Sequence, residues 1–176
     1  MQTIPEFWAQ HADELATARS ASLPALVRHI LEHYHRPGMA DLAHLETLVV
    51  EAALEDAKRF PVLKEVRDEV FRFALTLRAH FQKEELEVFP PLLAEACGEV
   101  PFTGLDRVTL LEEEHAAVEG LLVRLRQLTG GFDAPPEAGP RHRDLMVALG
   151  AFAESLARHL WLEHHLLFSR VPASGY

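Results

Sequence analysis

The sequence predicts an all-α protein, an antiparallel up-down four-helix bundle preceded by a short extra helix, and three observations carry that reading. Leu, Ala and Glu dominate, while Gly and Pro collect in a few short stretches. Along four long segments the apolar residues recur at alternating steps of four and three, the period of one helical face. The connections between those segments are short, which favours antiparallel neighbours. The 176 residues fit a single domain large enough to bury a core. The expected divisions are a leading helix within 1–21, the bundle over 22–170 and a tail over 171–176.

The leading helix is expected over about Pro5 to Ala18, with Ile4, Phe7, Trp8, His11 and Leu15 on one face lying against the outside of the bundle. The first long helix follows Ser22 and Pro24 and runs from Leu23 to Ala57. Pro37 cannot donate to the carbonyl of His33, so a kink is expected at Pro37-Gly38. After Pro61 the second helix spans Val62 to Ala96, loosened near its end by Pro90-Pro91. The segment Gly98 to Gly104 separates it from the third helix, Leu105 to Thr129, which Gly130-Gly131 stops. The loop Gly130 to Pro140 leads to the fourth helix, Arg141 to Ser169.

Charge and cysteine content exclude several functions. The formal net charge is -10, from 27 acidic and 17 basic side chains with no basic run, which does not suit a phosphate backbone, so no nucleic acid partner is expected. Cys97 is the sole cysteine, which excludes an intramolecular disulfide, a thiolate zinc cluster and a protein-ligated iron–sulfur cluster and suits a reducing compartment, the cytoplasm. The first residues lack a basic region followed by an apolar one, and no uninterrupted apolar stretch approaches membrane-spanning length. A soluble protein without a membrane partner is expected.

The inward stripes contain residues that a bundle core normally lacks. The second helix reads Val66, Val70, Phe73, Leu77, His80, Glu84, Val88, and the fourth reads Leu145, Leu149, Phe152, Leu156, His159, Glu163, Leu166. The third offers Val108, Leu111, His115, Val118, Leu122 and Leu125; the first offers Leu31, His35, Leu42, Leu45, Val49 and Ala52. Burying a carboxylate without partners costs several kcal/mol, on the order of a large fraction of a domain's stability. No Lys or Arg lies nearby on these stripes, so a metal is the economical counter-charge.

The spacing is duplicated. His80-Phe-Gln-Lys-Glu84 followed by Phe89 matches His159-Leu-Trp-Leu-Glu163 followed by Phe168, each with His and Glu one helical turn apart. His35 precedes His80 by nearly the interval that separates His115 from His159. The first helix climbs about 22 residues beyond His35 and the second descends about 19 to His80, so at roughly 1.5 Å per residue the two reach one level. The third and fourth helices climb about 14 and descend about 17 residues, giving the same match. Two metals are therefore expected, each with two terminal histidine nitrogens, with Glu84 and Glu163 bridging at the roughly 3.5–4 Å of dinuclear sites. Imidazole and carboxylate donors with open positions suit iron, and manganese and zinc share the donor types.

Other polar residues lie off this pattern. His11, His29, His33, His44, His142, His164 and His165 read as surface residues or residues behind the ligands, without metal contact. Glu112-x-x-His115 has the spacing of ferritin-like carboxylate proteins, but the flanking helices carry His-x-x-x-Glu instead. Glu119, one turn from His115, is a candidate exchangeable ligand. Tyr34 and Trp161 read as packing residues.

The stretches Tyr34-His35, His80-Phe-Gln-Lys-Glu84-Glu85 with Phe89-Pro90, Glu114-His115, and His159-Leu-Trp-Leu-Glu163 with Leu167-Phe168 resemble the hemerythrin-like, HHE cation-binding superfamily. Within it they resemble most closely the Ric family of di-iron proteins for repair of iron–sulfur clusters. The resemblance implies a cytoplasmic protein with two non-haem iron ions, oxo- or hydroxo-bridged, on His35, His80, Glu84, His115, His159 and Glu163. It further implies a role under nitrosative and oxidative stress, with O2, NO or peroxide as small ligand and iron–sulfur proteins as partners. Three departures stand out. Ric proteins usually carry an N-terminal module with adjacent cysteines, whereas a short helix stands here; Asp56 replaces a histidine common near the end of the first helix; and Phe168-Ser169 replaces a Phe-Pro. Asp56 lies roughly 31 Å along a straight helix from His35, so it is expected at the far end of the bundle, solvated or paired with Lys58, Arg59 or Lys64.

The same ligand set serves three functions: a stress-response protein that reacts with NO, O2 or peroxide or donates iron, a reversible oxygen carrier or sensor, and a metal site without redox role. Reaction with these small molecules would make the protein a redox enzyme. No catalytic side chain apart from the metal ligands stands out.

Overall fold

The computed structural model describes residues 4–98 and 105–170, and the side chains within them except at 105–108. Most of the Gly98 to Gly104 breaker, the Val108 side chain and the 171–176 tail thus lie outside the described residues. The helices are α1 (Ala12–Ser20), α2 (Leu23–Ile30), α3 (Arg36–Asp56), α4 (Leu63–Lys83), α5 (Phe89–Ala96), α6 (Leu105–Leu128) and α7 (Pro140–Leu162), and no strand occurs among the described residues. α3 packs against both α4 and α7, and α4 packs against α6. The expected four-helix bundle is therefore the architecture observed.

Three of the four long helices contain one wide, π-helical turn: Leu31–His35 between α2 and α3, Glu84–Val88 between α4 and α5, and Glu163–Leu167 after α7. In each, an amide donates five residues back, from Arg36 to Leu31, Phe89 to Glu84 and Phe168 to Glu163. The kink expected at Pro37-Gly38 coincides with a wide turn that ends just before it, at His35. Pro90 and Pro91 follow the second wide turn in the same way. The third has no proline near it, so proline alone does not account for these turns. One extra residue per wide turn also shifts the stripe beyond it, and Leu167 is buried where Leu166 was expected.

Helix ends follow their local chemistry. The Ser22 hydroxyl accepts from the amide of Ala25 at the start of α2, and Gly139 precedes Pro140 at the start of α7. α6 ends where Gly130 and Gly131 take φ of 66° and 101°, which lets the Gly131 amide donate back to the Arg126 carbonyl at 2.8 Å.

The leading segment is shorter than expected as a helix. A single 3-10 turn, Glu6–Trp8, precedes α1, which begins only at Ala12. Its contacts are tighter than an outside strut needs: Trp8 is buried edge-on to Trp161, and the Arg170 guanidinium donates to the carbonyls of Ala21 and Arg19.

Two apolar clusters fill the bundle. One, with Leu45, Val49, Phe73, Leu77, Val118, Leu149 and Leu156, occupies the end where α3 meets α4. The other, with Trp8, Ile30, Phe89, Leu111, Leu162 and Leu167, lies under α1 and α5. Between them sits a polar layer. The segment Pro140–Arg170 is long and apolar enough to cross a membrane, with an 18-residue window of mean hydropathy 1.2, but 56% of that window is buried inside the protein, as a core helix of a bundle would be.

Candidate metal centre

The polar layer consists of His35, His80, Glu84, His115, His159 and Glu163, the six residues picked out by the duplicated spacing, and none is more than 7% exposed. Their donor atoms form two groups that share both carboxylates: His35, His159, Glu84 and Glu163, and His80, His115, Glu84 and Glu163, each within 4.8 Å of one another. In the first, the Nε2 atoms of His35 and His159 are 3.3 Å apart, with Glu84 Oε2 3.3 Å from His35 and Glu163 Oε1 2.8 Å from His159. In the second, the Nε2 atoms of His80 and His115 are 3.1 Å apart, with Glu84 Oε2 3.3 Å from His80 and Glu163 Oε2 3.4 Å from His115.

Each group takes one histidine from either helical hairpin. His35 on the first helix meets His159 on the fourth, and His80 on the second meets His115 on the third. Four nitrogens turned toward two carboxylates suit a cation better than a hydrogen-bond network. Both oxygens of Glu84 and Oε2 of Glu163 are buried without a hydrogen-bond partner, and such groups are costly unless something satisfies them. The donor set, two imidazoles and two shared carboxylates per group, fits borderline divalent ions such as iron.

Neighbouring residues hold these side chains in place. His35 Nδ1 lies 2.9 Å from Glu85 Oε1, and His80 Nδ1 lies 3.1 Å from Glu114 Oε2. A carboxylate behind an imidazole fixes its tautomer and directs Nε2 to the metal. Phe81 stacks on the His35 ring at 4.2 Å. Gly38 makes room for it, because a Cβ there would come within 3.2 Å of the Phe81 ring. Tyr34 stacks on His159 at 5.4 Å and its hydroxyl donates to Glu14, which also meets His29 at 3.0 Å. Burial first, and then the Glu14 carboxylate, raise the Tyr34 phenol above its usual range.

Sequence reasoning missed the partners Glu85, Glu114 and Glu14. Glu85 and Glu114 adjoin ligands in sequence, and that adjacency was a usable signal. Glu14 carried none, because only the docking of α1 brings it to Tyr34.

Without metal, the layer stores its charge in the histidines. Burial opposes the charge on His35 and His115, but Glu163 and Glu84 outweigh it and push both from 6.5 up to about 10. Burial lowers His159. Burial also acts against the Glu163 charge, yet His159, His115 and His35 hold that carboxyl well below 4.5. The two raised histidines stabilise the fold fully below pH 6.5, and that contribution is lost as pH rises through about 10. Glu163 contributes above 4.5 and loses its contribution as pH falls, while His159 works against the other two histidines. Thermal melts in chelator are therefore expected to show the metal-free protein most stable between about pH 4.5 and 6.5 and less stable toward pH 10. Metal-loaded protein should instead already lose stability as pH falls through about 6.5, where the metal-free protein is still most stable, because protons compete for the ligands.

Two expectations outside the layer are corrected. His142 is not a surface residue but is 4% exposed, and Asp56 is buried rather than solvated. They pair with each other: His142 Nδ1 lies 3.3 Å from Asp56 Oδ2, which also accepts the Gly139 amide at 2.6 Å. The Gly139 amide first, and His142 with Arg59 after it, outweigh burial and lower the Asp56 carboxyl. Asp56 was assigned to the correct end of the bundle, but its partners come from the start of α7, which lies far away in sequence. His33, His44 and His164 are exposed, and His11, His29 and His165 half-buried. Glu119 is exposed and belongs to neither ligand group.

A family model described as Hemerythrin HHE cation binding domain matches residues 26–171. The chain belongs to the hemerythrin HHE cation-binding family. Membership implies iron binding, and the two His and Glu groups of this hemerythrin-like bundle could hold the metal. Among curated proteins it is 31% identical to the iron-sulfur cluster repair protein DnrN of Neisseria gonorrhoeae over 157 residues, covering 86% of this chain and 93% of that one. It is 25% identical to the iron-sulfur cluster repair protein ScdA of Staphylococcus haemolyticus (strain JCSC1435) over 147 residues, 84% of this chain and 66% of that one. It is also 25% identical to the iron-sulfur cluster repair protein YtfE of Escherichia coli O81 (strain ED1a) over 155 residues, 88% of this chain and 69% of that one. The match thus covers nearly all of the first relative and about two thirds of the other two.

Proposed function

We propose that this hemerythrin-family chain is a cytoplasmic non-haem di-iron protein of the response to nitrosative and oxidative stress, acting on NO, O2 or peroxide or supplying iron for the repair of iron–sulfur clusters. One iron ion would take His35 and His159, the other His80 and His115, and Glu84 and Glu163 would each reach both. The observation that carries this reading is the pair of fully buried glutamates, whose unpartnered oxygens face four imidazole nitrogens.

When bound, the ion pair supplies redox chemistry and open positions for a small ligand. The protein's own part is to hold and shield it. Glu85 and Glu114 keep two imidazoles oriented, and Phe81, Phe89 and Tyr34 exclude water from the side of His35 and His159. The printed names of the relatives support iron–sulfur proteins as the beneficiaries of the activity.

Metal analysis of the isolated, fully loaded protein should give two iron ions per chain. A stoichiometry near one, or retention of zinc alone, would overturn the dinuclear reading. Optical spectra of the reduced protein before and after NO or O2 should show rapid oxidation or nitrous oxide formation. A stable, reversible O2 adduct would instead assign an oxygen carrier.

A further inference from the structure

The two histidine pairs offer the same donors but stand in different surroundings. His35 has Phe81 stacked on it at 4.2 Å and Phe89 tilted against it at 5.6 Å, and His159 has Tyr34 and Phe81 each at 5.4 Å. Around the other pair the rings stand farther off, with Phe81 6.1 Å from His80 and Phe168 6.1 Å from His115. Access from solvent follows the same division. A cavity of about 590 Å³ between α4 and α6 opens onto His80, and one of about 500 Å³ between α6 and the end of α7 opens onto His115. The cavity on the opposite side, about 590 Å³, stops at Tyr34 and is lined by neither His35 nor His159. His115 is 7% exposed, against 1% for His35 and His159.

The carboxylates behind the imidazoles differ as well. Lys83 Nζ donates to Glu114 Oε1 at 2.5 Å while Glu114 Oε2 faces His80 Nδ1. Glu85, which faces His35 Nδ1, has no Lys or Arg paired with it among the described residues. Both carboxylates are partly exposed, at 45% for Glu85 and 32% for Glu114, so the ammonium rather than burial separates them. A carboxylate behind an imidazole makes the ring a stronger metal donor. An ammonium on that carboxylate withdraws part of the effect and adds a positive charge on the ion's side. Glu85 therefore strengthens His35 more than Glu114 strengthens His80.

We propose that the two iron positions are unequal: the ion on His80 and His115 exchanges with the surroundings, and the ion on His35 and His159 is retained. The proposal rests on the reading of the buried layer as a di-iron centre. Three features of the exchanging position act in one direction. Both of its histidines border cavities open to solvent, so water can take over from protein donors one at a time as the ion leaves. The more distant aromatic rings leave those imidazoles freer to turn away. Lys83 weakens the hold of His80 through Glu114 and repels the ion. Glu84 and Glu163 stay on the retained ion when its neighbour departs, so their buried charge keeps a counter-ion. Lys83 is thus a positioning residue that sets how readily one iron is given up, the property that a supplier of iron needs.

The test is anaerobic removal of ferrous iron from the fully loaded full chain by a chelator whose iron complex is coloured. The parent should release its iron in two phases of equal amplitude, the fast one from His80 and His115 and the slow one from His35 and His159, at rates about a hundredfold apart. Lys83→Met keeps the apolar stem but removes the ammonium, and it should slow the fast phase about tenfold while the slow phase stays as it was. Lys83→Arg should restore the fast phase of the parent. Glu85→Gln should speed the slow phase about tenfold and leave the fast one alone. Both side chains are partly exposed, so these variants leave the core unaltered. Release of both ions in a single phase by the parent, action of Lys83→Met on the slow phase or of Glu85→Gln on the fast one, or no effect of either variant would overturn the assignment. An iron content of one per chain in the loaded parent would instead overturn the di-iron reading itself, so the two can fail independently.

Discussion

Glu163→Leu is expected to abolish the metal pair while the bundle stays folded. Glu163 is fully buried and its two oxygens reach both histidine pairs, Oε1 toward His159 and Oε2 toward His115. Leucine suits a stripe already occupied by Leu149, Phe152 and Leu156, so the helix keeps its packing. It offers no donor, so neither ion retains a complete set. The metal-free variant should be less stable than the parent below about pH 6.5, by up to about 3–5 kcal/mol, because removing one partner leaves His35 and His115 buried without the carboxylate that offsets their charge. Iron analysis should fall from two ions to none or one, with unchanged helical circular dichroism. Glu84→Leu should do the same, since both Glu84 oxygens lack other partners. If both variants kept two irons and the parent spectrum, the bridging assignment would be wrong.

Asp56→Ala and His35→Ala should separate the two ends of the first long helix. His35 lies in the ligand layer, and its loss should remove at least one ion. Asp56 closes the opposite end by accepting from the Gly139 amide and facing His142. Its removal should leave iron content and spectrum unchanged but lower the melting temperature, because a half-buried amide and a buried imidazole lose their acceptor. Loss of iron from Asp56→Ala as readily as from His35→Ala would mean that α3 does not run unbroken between the two positions.

Most of the bundle and of its buried polar layer was legible in the sequence because both rest on short-range periodicity. Apolar residues at helical steps mark the inward face, and His80, Glu84, His159 and Glu163 stand out because each polar pair interrupts such a run at i and i+4. Proline gave a less reliable signal. Pro37 and Pro90 each follow a wide turn, yet the same turn recurs at Glu163 without proline. Backbone widening depends on packing around the polar layer and has no counterpart in a single residue's preference.

By itself the sequence singled out the six residues that gather in the buried polar layer, the helices that carry them and the level at which they meet, since each follows from rise per residue along a chain of known order. Only the tertiary structure decided their pairing, which joins His35 to His159 and His80 to His115 across the two hairpins. It also decided that Glu14 of α1 meets Tyr34 and that Asp56 meets His142. These contacts link residues far apart in the chain, and the way the helices rotate and dock depends on packing of the whole core rather than on any local pattern.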